Sequence, residues 1–429
     1  MVRADEQGAA LPTENPTGVS VFLLIRGGFG RRKYLSNNQR IGDIMAGRGE
    51  NCLIVVAGGV GAVTNSIIAG ILDEAGKGDL FAEVYGATHG AGGLLENKFA
   101  DLGAQKRKTI ESLRRTPGSI LSGRARSDLD ASTLVPFLRA QNVGTLFIVG
   151  GLPMVRLLQS VTQAGIDAGL SLQVLGVPSS SENEVEAGDH TPGFGSAARF
   201  VASAARDAGR AADSGDEPVA VLEVPGAHGG WLAAASALAR DKESTRENSA
   251  PHAIVLPERP ADVEAVADEV RRAYQKHGYA LAVTTESSKA TDGSALDGPA
   301  LSALLSEKIG VSTRYDRPGS LTRLSQNSIA RGDSDEAYNL GSLCVRLAGD
   351  DCSGYYVLVA RDQHSQDRGE KGYRAVDATT RLDQVSDKPR AVPAEYIAEN
   401  GLNVSPAFLE WARPLVGGAL PEYTSLSGD

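Results

Sequence analysis

Short apolar runs alternate along the chain with segments whose apolar residues recur every three or four positions. This alternation predicts an α/β fold with a mainly parallel sheet. "CLIVVAGG" (52–59) predicts a strand and "TNSIIAGILDEAG" (64–76) a helix ending at a glycine. "AEVYGATHGAGGLL" (82–95) reads as a strand with a glycine-rich loop. "TLFIVGG" (145–151) with "VRLLQSVTQAG" (155–165) makes a second strand–turn–helix unit, and "SLQVLGVP" (171–178) adds a strand. The theme repeats in "AVLEVPG" (220–226) with "GWLAAASALA" (230–239), then in "HAIVLPE" (252–258) with "ADVEAVADEVRRAYQKHG" (261–278) and "YALAVTTE" (279–286). In the 261–278 helix Val263, Val266, Val270 and Tyr274 line one buried face.

Two polar stretches, Arg206 to Pro218 and Ala239 to His252, interrupt the pattern and read as exposed connections. The polar opening "MVRADEQGAALPTENPTG" has no basic segment leading into an apolar one and reads as a flexible tail, not a signal peptide. No run of 18 apolar residues occurs, so no membrane span is expected. At 429 residues and 41% apolar content, the chain can build two sizeable cores. A net charge of −10 argues against nucleic acid as the partner, because that polyanion is bound by clustered Lys and Arg. A small anion remains compatible, since a few local arginines suffice. Cys52, Cys344 and Cys352 form no paired framework, which fits a reducing cytoplasm; the first two lie in apolar segments as core residues.

Ligands in such folds bind at the C-terminal ends of parallel strands, where glycine turns and helix N-termini present backbone N–H groups to anions. Three turns qualify: Gly58-Gly59-Val60-Gly61, Gly90-Ala91-Gly92-Gly93 and Gly150-Gly151-Leu152. The same glycines also serve simply to allow tight strand-to-helix turns. The stretch from Gly176 to Phe200 presents Ser179, Ser180 and Ser181 with Glu182, Glu184, Glu186 and Asp189, before a helix at Ser196. Hydroxyls beside carboxylates suit a site that deprotonates a hydroxyl and holds phosphate oxygens; a solvated acidic loop has the same composition. His89, His190 and His228 lack metal-site spacing, and the last two read as loop hydrogen-bonders.

In order along the chain, "AGGVGAVTN", "VYGATHGAGGLL", "PGSILSGR", "LFIVGG", "GVPSSSENEV", "DHTPGFGSAARF", "LEVPGAHGGW", "VTTES" and "RPGSLTR" resemble the phosphofructokinase family. "DSDEAYNLGSLCVRLAG" and "ARPLVGGALPEY" are most similar to its pyrophosphate-dependent branch. The resemblance implies two Rossmann-like α/β lobes with the site in the cleft between them. It implies a donor-side lobe at 49–195 to which roughly 320–365 return, and a substrate-side lobe at 196–319. A flexible extension at 1–48 and a C-terminal extension at 366–429 packing on the lobes would complete the chain. The implied chemistry is phosphoryl transfer from ATP or pyrophosphate, with Mg²⁺, to the 1-hydroxyl of fructose 6-phosphate. A homo-oligomer, dimer or tetramer, is implied as well.

By the same resemblance Glu182, Glu184 and Arg124 carry catalysis. Gly58, Gly59, Asn65, Gly150 and Gly151 hold the donor; Ser180, Gly226, His228, Glu286 and Arg323 hold the substrate. Several positions depart from the family pattern. Leu152 and Val60 stand where acids that organise Mg²⁺ are usual, so the metal ligands are not identified. Val63 replaces a glycine and would crowd a phosphate approaching the backbone, and Ala227 replaces an arginine. Glu182 and Glu184 replace aspartates, which moves each carboxylate by one methylene. Glu182, Glu184 or Asp189 would then be the acids left to hold Mg²⁺. Two functions follow: a divergent phosphotransferase acting on fructose 6-phosphate or a relative, or a non-catalytic relative that binds an anionic sugar phosphate or nucleotide or serves as a partner subunit.

Overall fold

The computed structural model describes residues 13–14, 20–23, 49–58, 60–94, 96, 98–121, 131–240, 249–362 and 372–420. Its strands are β1 (Thr13–Glu14), β2 (Ser20–Leu23), β3 (Asn51–Val56), β4 (Val84–Ala87), β5 (Phe99–Asp101), β6 (Val143–Gly150), β7 (Gln173–Pro178), β8 (Val219–Val224), β9 (Ala253–Ile254), β10 (Ala280–Thr285), β11 (Thr313–Asp316), β12 (Tyr355–Arg361) and β13 (Ala375–Arg381). Its α-helices are α1 (Thr64–Ala75), α2 (Gly90–Leu94), α3 (Arg107–Leu113), α4 (Ala131–Ala140), α5 (Leu152–Asp167), α6 (Phe194–Ser214), α7 (Trp231–Ala235), α8 (Val263–His277), α9 (Gly298–Ile309), α10 (Leu321–Leu324), α11 (Arg331–Gly349) and α12 (Pro406–Ala412).

The first sheet runs β1-β2-β13-β12-β7-β6-β3-β4-β5, and the second runs β11-β8-β10-β9. The second sheet is parallel throughout, as are β12, β7, β6, β3 and β4 in the centre of the first. Strands buried on both faces read as continuous apolar runs, and alternate residues separate onto the two faces. Cys52, Ile54 and Val56 pack with α1 and α11, while Leu53 and Val55 pack with α4 and α5. Likewise Ala220, Leu222 and Val224 face α6 and α7, and Val219 and Val221 face α8 and α9. The two-lobed α/β architecture expected from the sequence is therefore present.

Late segments return to the first lobe. α11 lies on α1 at backbone contact: a Cβ on Gly70 would collide with the carbonyl of Tyr338, and one on Gly341 with that of Ile67. β12 and β13 join the first sheet, while α12 delivers Phe408 and Trp411 to the core of the second lobe. The described residues 372–420 thus belong structurally to both lobes.

Of residues 1–48, expected as a flexible extension, 13–14 and 20–23 are described and form β1 and β2 at the edge of the first sheet, and the rest lie outside the described residues. Two local expectations are corrected. The stretch from Arg206 was expected as an exposed connection, but α6 continues to Ser214 because Ala205, Ala208 and Ala212 keep an apolar face buried at helical spacing. The glycine-rich loop at Gly90 is a short helix. No described helix is long and apolar enough to cross a membrane. In α8, Val266 and Val270 are buried while Val263 and Tyr274 pack partly on the same core, and Asp262 caps the helix through the N–H groups of Glu264 and Ala265.

Candidate active site

Both sheets direct their C-terminal strand ends toward the candidate residues. β3 leads to Gly58, whose φ of +76° is the left-handed conformation that glycine tolerates. Thr64 Oγ1 accepts from Gly61 N at 2.9 Å and meets Ser179 Oγ at 2.7 Å, which knits the first turn to the loop after β7. Val63 does not crowd the turn as expected; its side chain is fully buried in the core beside α1. Asn65 spends its amide on the 116–120 turn, donating to Thr116 O at 3.0 Å and accepting from Ile120 N at 2.9 Å. Gly150 approaches the Ala57 carbonyl too closely for a Cβ, and its own carbonyl accepts from Ser179 N at 2.8 Å. Gly151 is the N-cap residue of α5. Gly59 and Arg124 lie outside the described residues.

The loop from Ser179 to Gly193 is folded inward and is not a solvated acidic stretch. Ser179, Ser180, Ser181, Asn183 and Glu184 are all buried. Asn183 adopts φ +56°, a conformation asparagine reaches more readily than most residues, and its Oδ1 accepts from Thr191 N at 2.8 Å. That turn sends the two flanking glutamates to different surroundings. Glu184 accepts a hydrogen bond from Ser180 Oγ and another from Leu152 N at 3.2 Å. Its carboxylate sits at the start of α5, where the helix dipole favours negative charge. The first turn of α5 is otherwise closed to a ligand, since Pro153 has no N–H and Met154 N bonds to Gly151 O at 3.0 Å.

Glu182 is different. It is half-buried, and its Oε2 has no hydrogen-bond partner among the described residues. Burial raises its carboxyl above the ordinary range, and the Glu184 charge raises it further. The Glu286 charge adds to this, while His228 and Arg323 offset part of it. The charges of Glu184, His228, Glu286 and Arg323 therefore all act on one carboxylate. Gly226 N donates to Glu286 Oε2 at 3.0 Å, so the turn after β8 orients the acid that follows β10. Glu286, His228 and Arg323 are exposed, with their side chains available to a ligand. The group can accept a proton at Glu182 while cationic and hydrogen-bonding side chains hold an anionic acceptor beside it.

No group of three His, Cys, Asp or Glu side chains suited to a metal ion occurs among the described residues. Glu184 is committed to Ser180 and Leu152. Asp189 is committed to Arg361 Nε at 3.0 Å, Trp411 Nε1 at 3.1 Å and His190 Nδ1 at 3.0 Å. Of the three acids left to hold Mg²⁺, Glu184 and Asp189 are thus committed to the protein, and Glu182 keeps an unpartnered oxygen. Sequence reasoning missed this last cluster. His190 is fully enclosed, with its other ring nitrogen 2.9 Å from Glu336 Oε2, and Glu336 Oε1 accepts from Tyr373 at 2.8 Å. Asp189 and His190 were visible as neighbours, but their partners lie 146 or more positions away.

With parallel strand ends, glycine turns and a buried carboxylate at the junction of two α/β lobes, the chain has the framework of a sugar-phosphate kinase fold. The phosphofructokinase family profile matches residues 51–339, and the chain belongs to that family. It is 30% identical to the pyrophosphate–fructose 6-phosphate 1-phosphotransferase of Rhodospirillum rubrum, over 86% of this chain and 95% of the relative. It is also 30% identical to the sulfofructose kinase of Alkalicoccus urumqiensis, over 84% of this chain and 94% of the relative. Among solved structures, the pyrophosphate-dependent phosphofructokinase from Nitrosospira multiformis superposes with a TM-score of 0.80 at 26% identity, covering 88% of this chain and 94% of the other.

Proposed function

We propose that the protein is a phosphotransferase that moves a phosphoryl group from pyrophosphate or ATP to a hydroxyl of fructose 6-phosphate or a closely related sugar. The observation that carries this reading is Glu182: a half-buried carboxylate with one unpartnered oxygen and a raised proton affinity, set among His228, Glu286 and Arg323. A raised pKa makes Glu182 a stronger base than an exposed glutamate. It would take the proton of the acceptor hydroxyl as that oxygen bonds to the donor's terminal phosphorus and the bond to the leaving phosphate breaks. Arg323 supplies positive charge for the anionic end of the acceptor, and Glu286, oriented by Gly226 N, accepts from sugar hydroxyls. The activities of the relatives, a pyrophosphate–fructose 6-phosphate 1-phosphotransferase and a sulfofructose kinase, support this reaction class. The protein would act in the cytoplasm, consistent with its free cysteines, and as a dimer or tetramer.

A second reading, ligand binding without turnover, is favoured by the closed first turn of α5, where Glu184 already holds the amide of Leu152. Phosphorus-31 NMR of the protein with each donor and acceptor separates the two. A new phosphate ester that disappears in Glu182→Gln supports transfer. Sugar-phosphate binding with no ester formed from either donor overturns it in favour of the second reading.

A further inference from the structure

The Glu182 loop belongs to the first lobe and the Gly226–Gly230 turn to the second, so base and acceptor groups can act together only if something fixes their separation. One residue touches both. The Arg390 backbone N–H donates to Glu184 O at 2.8 Å, and its Nη1 donates to Asp189 O at 2.9 Å, gripping the loop on both sides of Glu186. On the other side, its carbonyl accepts from Trp231 Nε1 at 2.9 Å, and its guanidinium lies 5.0 Å from the centre of the Trp231 ring. Trp231 opens α7 directly after the Gly226–Gly230 turn. Glu258 reinforces the link by accepting from Gly230 N at 2.8 Å and Val392 N at 2.9 Å. Arg390 lies beyond residues 51–339, the part of the chain that carries the family pattern.

We infer that Arg390 is a positioning residue that sets the distance between the Glu182 loop and the acceptor-binding turn. Phosphoryl transfer in this chain would thus depend on a side chain that never meets the reacting atoms. The inference rests on the phosphotransferase reading. A displacement near 1 Å between reacting groups costs about 100-fold in rate. Arg390→Met removes the grip of the guanidinium on Asp189 O and its stacking on Trp231, while Arg390→Lys keeps a shorter cation. Lys also serves if the Met variant fails to fold.

The test measures kcat, KM and thermal midpoint for wild type, Arg390→Met and Arg390→Lys, each with and without Glu182→Gln. A positioning role predicts a kcat loss of about 100-fold in Arg390→Met, with acceptor KM changed less than about threefold. Lys should give a smaller loss, and neither substitution should lower the rate further once Glu182 is Gln. Losses that multiply in the double variant, or that follow only the fraction folded, overturn the inference. Wild type inactive with every donor defeats the phosphotransferase reading instead. Arg390 is then judged by hydrogen exchange: fructose 6-phosphate should protect residues 179–193 in wild type and not in Arg390→Met. Protection in both proteins, or in neither, overturns it.

Discussion

Glu182 and Glu184 are two positions apart and do unlike things, because Asn183 turns the backbone between them. Glu184 neutralises the start of α5, whereas Glu182 keeps an unsatisfied oxygen in a half-buried setting. Glu182→Gln is expected to lower kcat by about 10²–10⁴-fold with little change in folding, measured by coupled assay and circular dichroism. Because its pKa is raised, activity should climb with pH through a value above the ordinary 4.5, and this acidic limb should vanish in the Gln variant. Arg323→Ala removes a charge-assisted contact worth about 1.5–3 kcal/mol and should raise the sugar-phosphate KM by about 10–100-fold. A KM left unchanged would dismiss Arg323 from the acceptor site.

Some helices in this fold are finished by groups from other elements. The start of α6 is held by Asp333 of α11, which accepts from Gly193 N at 2.7 Å, Ser196 N at 2.8 Å and Ser196 Oγ at 2.6 Å. Full burial raises its carboxyl, and the Gly193 and Ser196 donors counter part of that rise. Asp333→Ala should destabilise the protein by about 1–3 kcal/mol in a urea titration, since buried N–H groups lose their acceptor. Gly70→Ala tests the α1–α11 contact: the added methyl meets the Tyr338 carbonyl and should cost about 1–3 kcal/mol. A melting temperature unchanged by Gly70→Ala would mean that the helices can separate freely.

Across the whole molecule, the loop carrying Glu182 is bound to the C-terminal segment by an ionic cluster. Burial alone would lower the His190 pKa, but Glu336 and Asp189 raise it to about 10, with Arg361, Tyr373 and Asp333 packed around the group. Asp189 is pushed below the carboxylate range because His190 and Arg361 outweigh its burial. The His190 contribution is fully present below the unfolded value of 6.5 and is lost as pH rises toward about 10; that of Asp189 is present above 3.8 and fades as pH falls. Denaturant titrations from pH 6.5 to 10 should therefore show the stability advantage over His190→Gln shrinking with pH. A constant difference would remove protonated His190 from the cluster.

Much of the fold was legible because strands and amphipathic helices are encoded within single segments. The apolar runs at β3, β6, β7, β8 and β10, the face of α8 and the order of the motifs could all be read along the chain. So could the candidates Glu182, Glu286, His228 and Arg323, through the resemblance of their motifs to the family pattern. What each polar group touches was not legible. The sequence marked Val63 as an obstacle to phosphate, and packing turned it into the core. It offered Glu184 and Asp189 as acids left to hold Mg²⁺, and Leu152 N, Ser180, Arg361 and Trp411 claimed them. Local sequence determines which elements form and which residues lie at their ends. Only the tertiary structure decided which charges are spent on the protein and which remain for a ligand, because the partners come from segments far apart in sequence that meet once both sheets are packed.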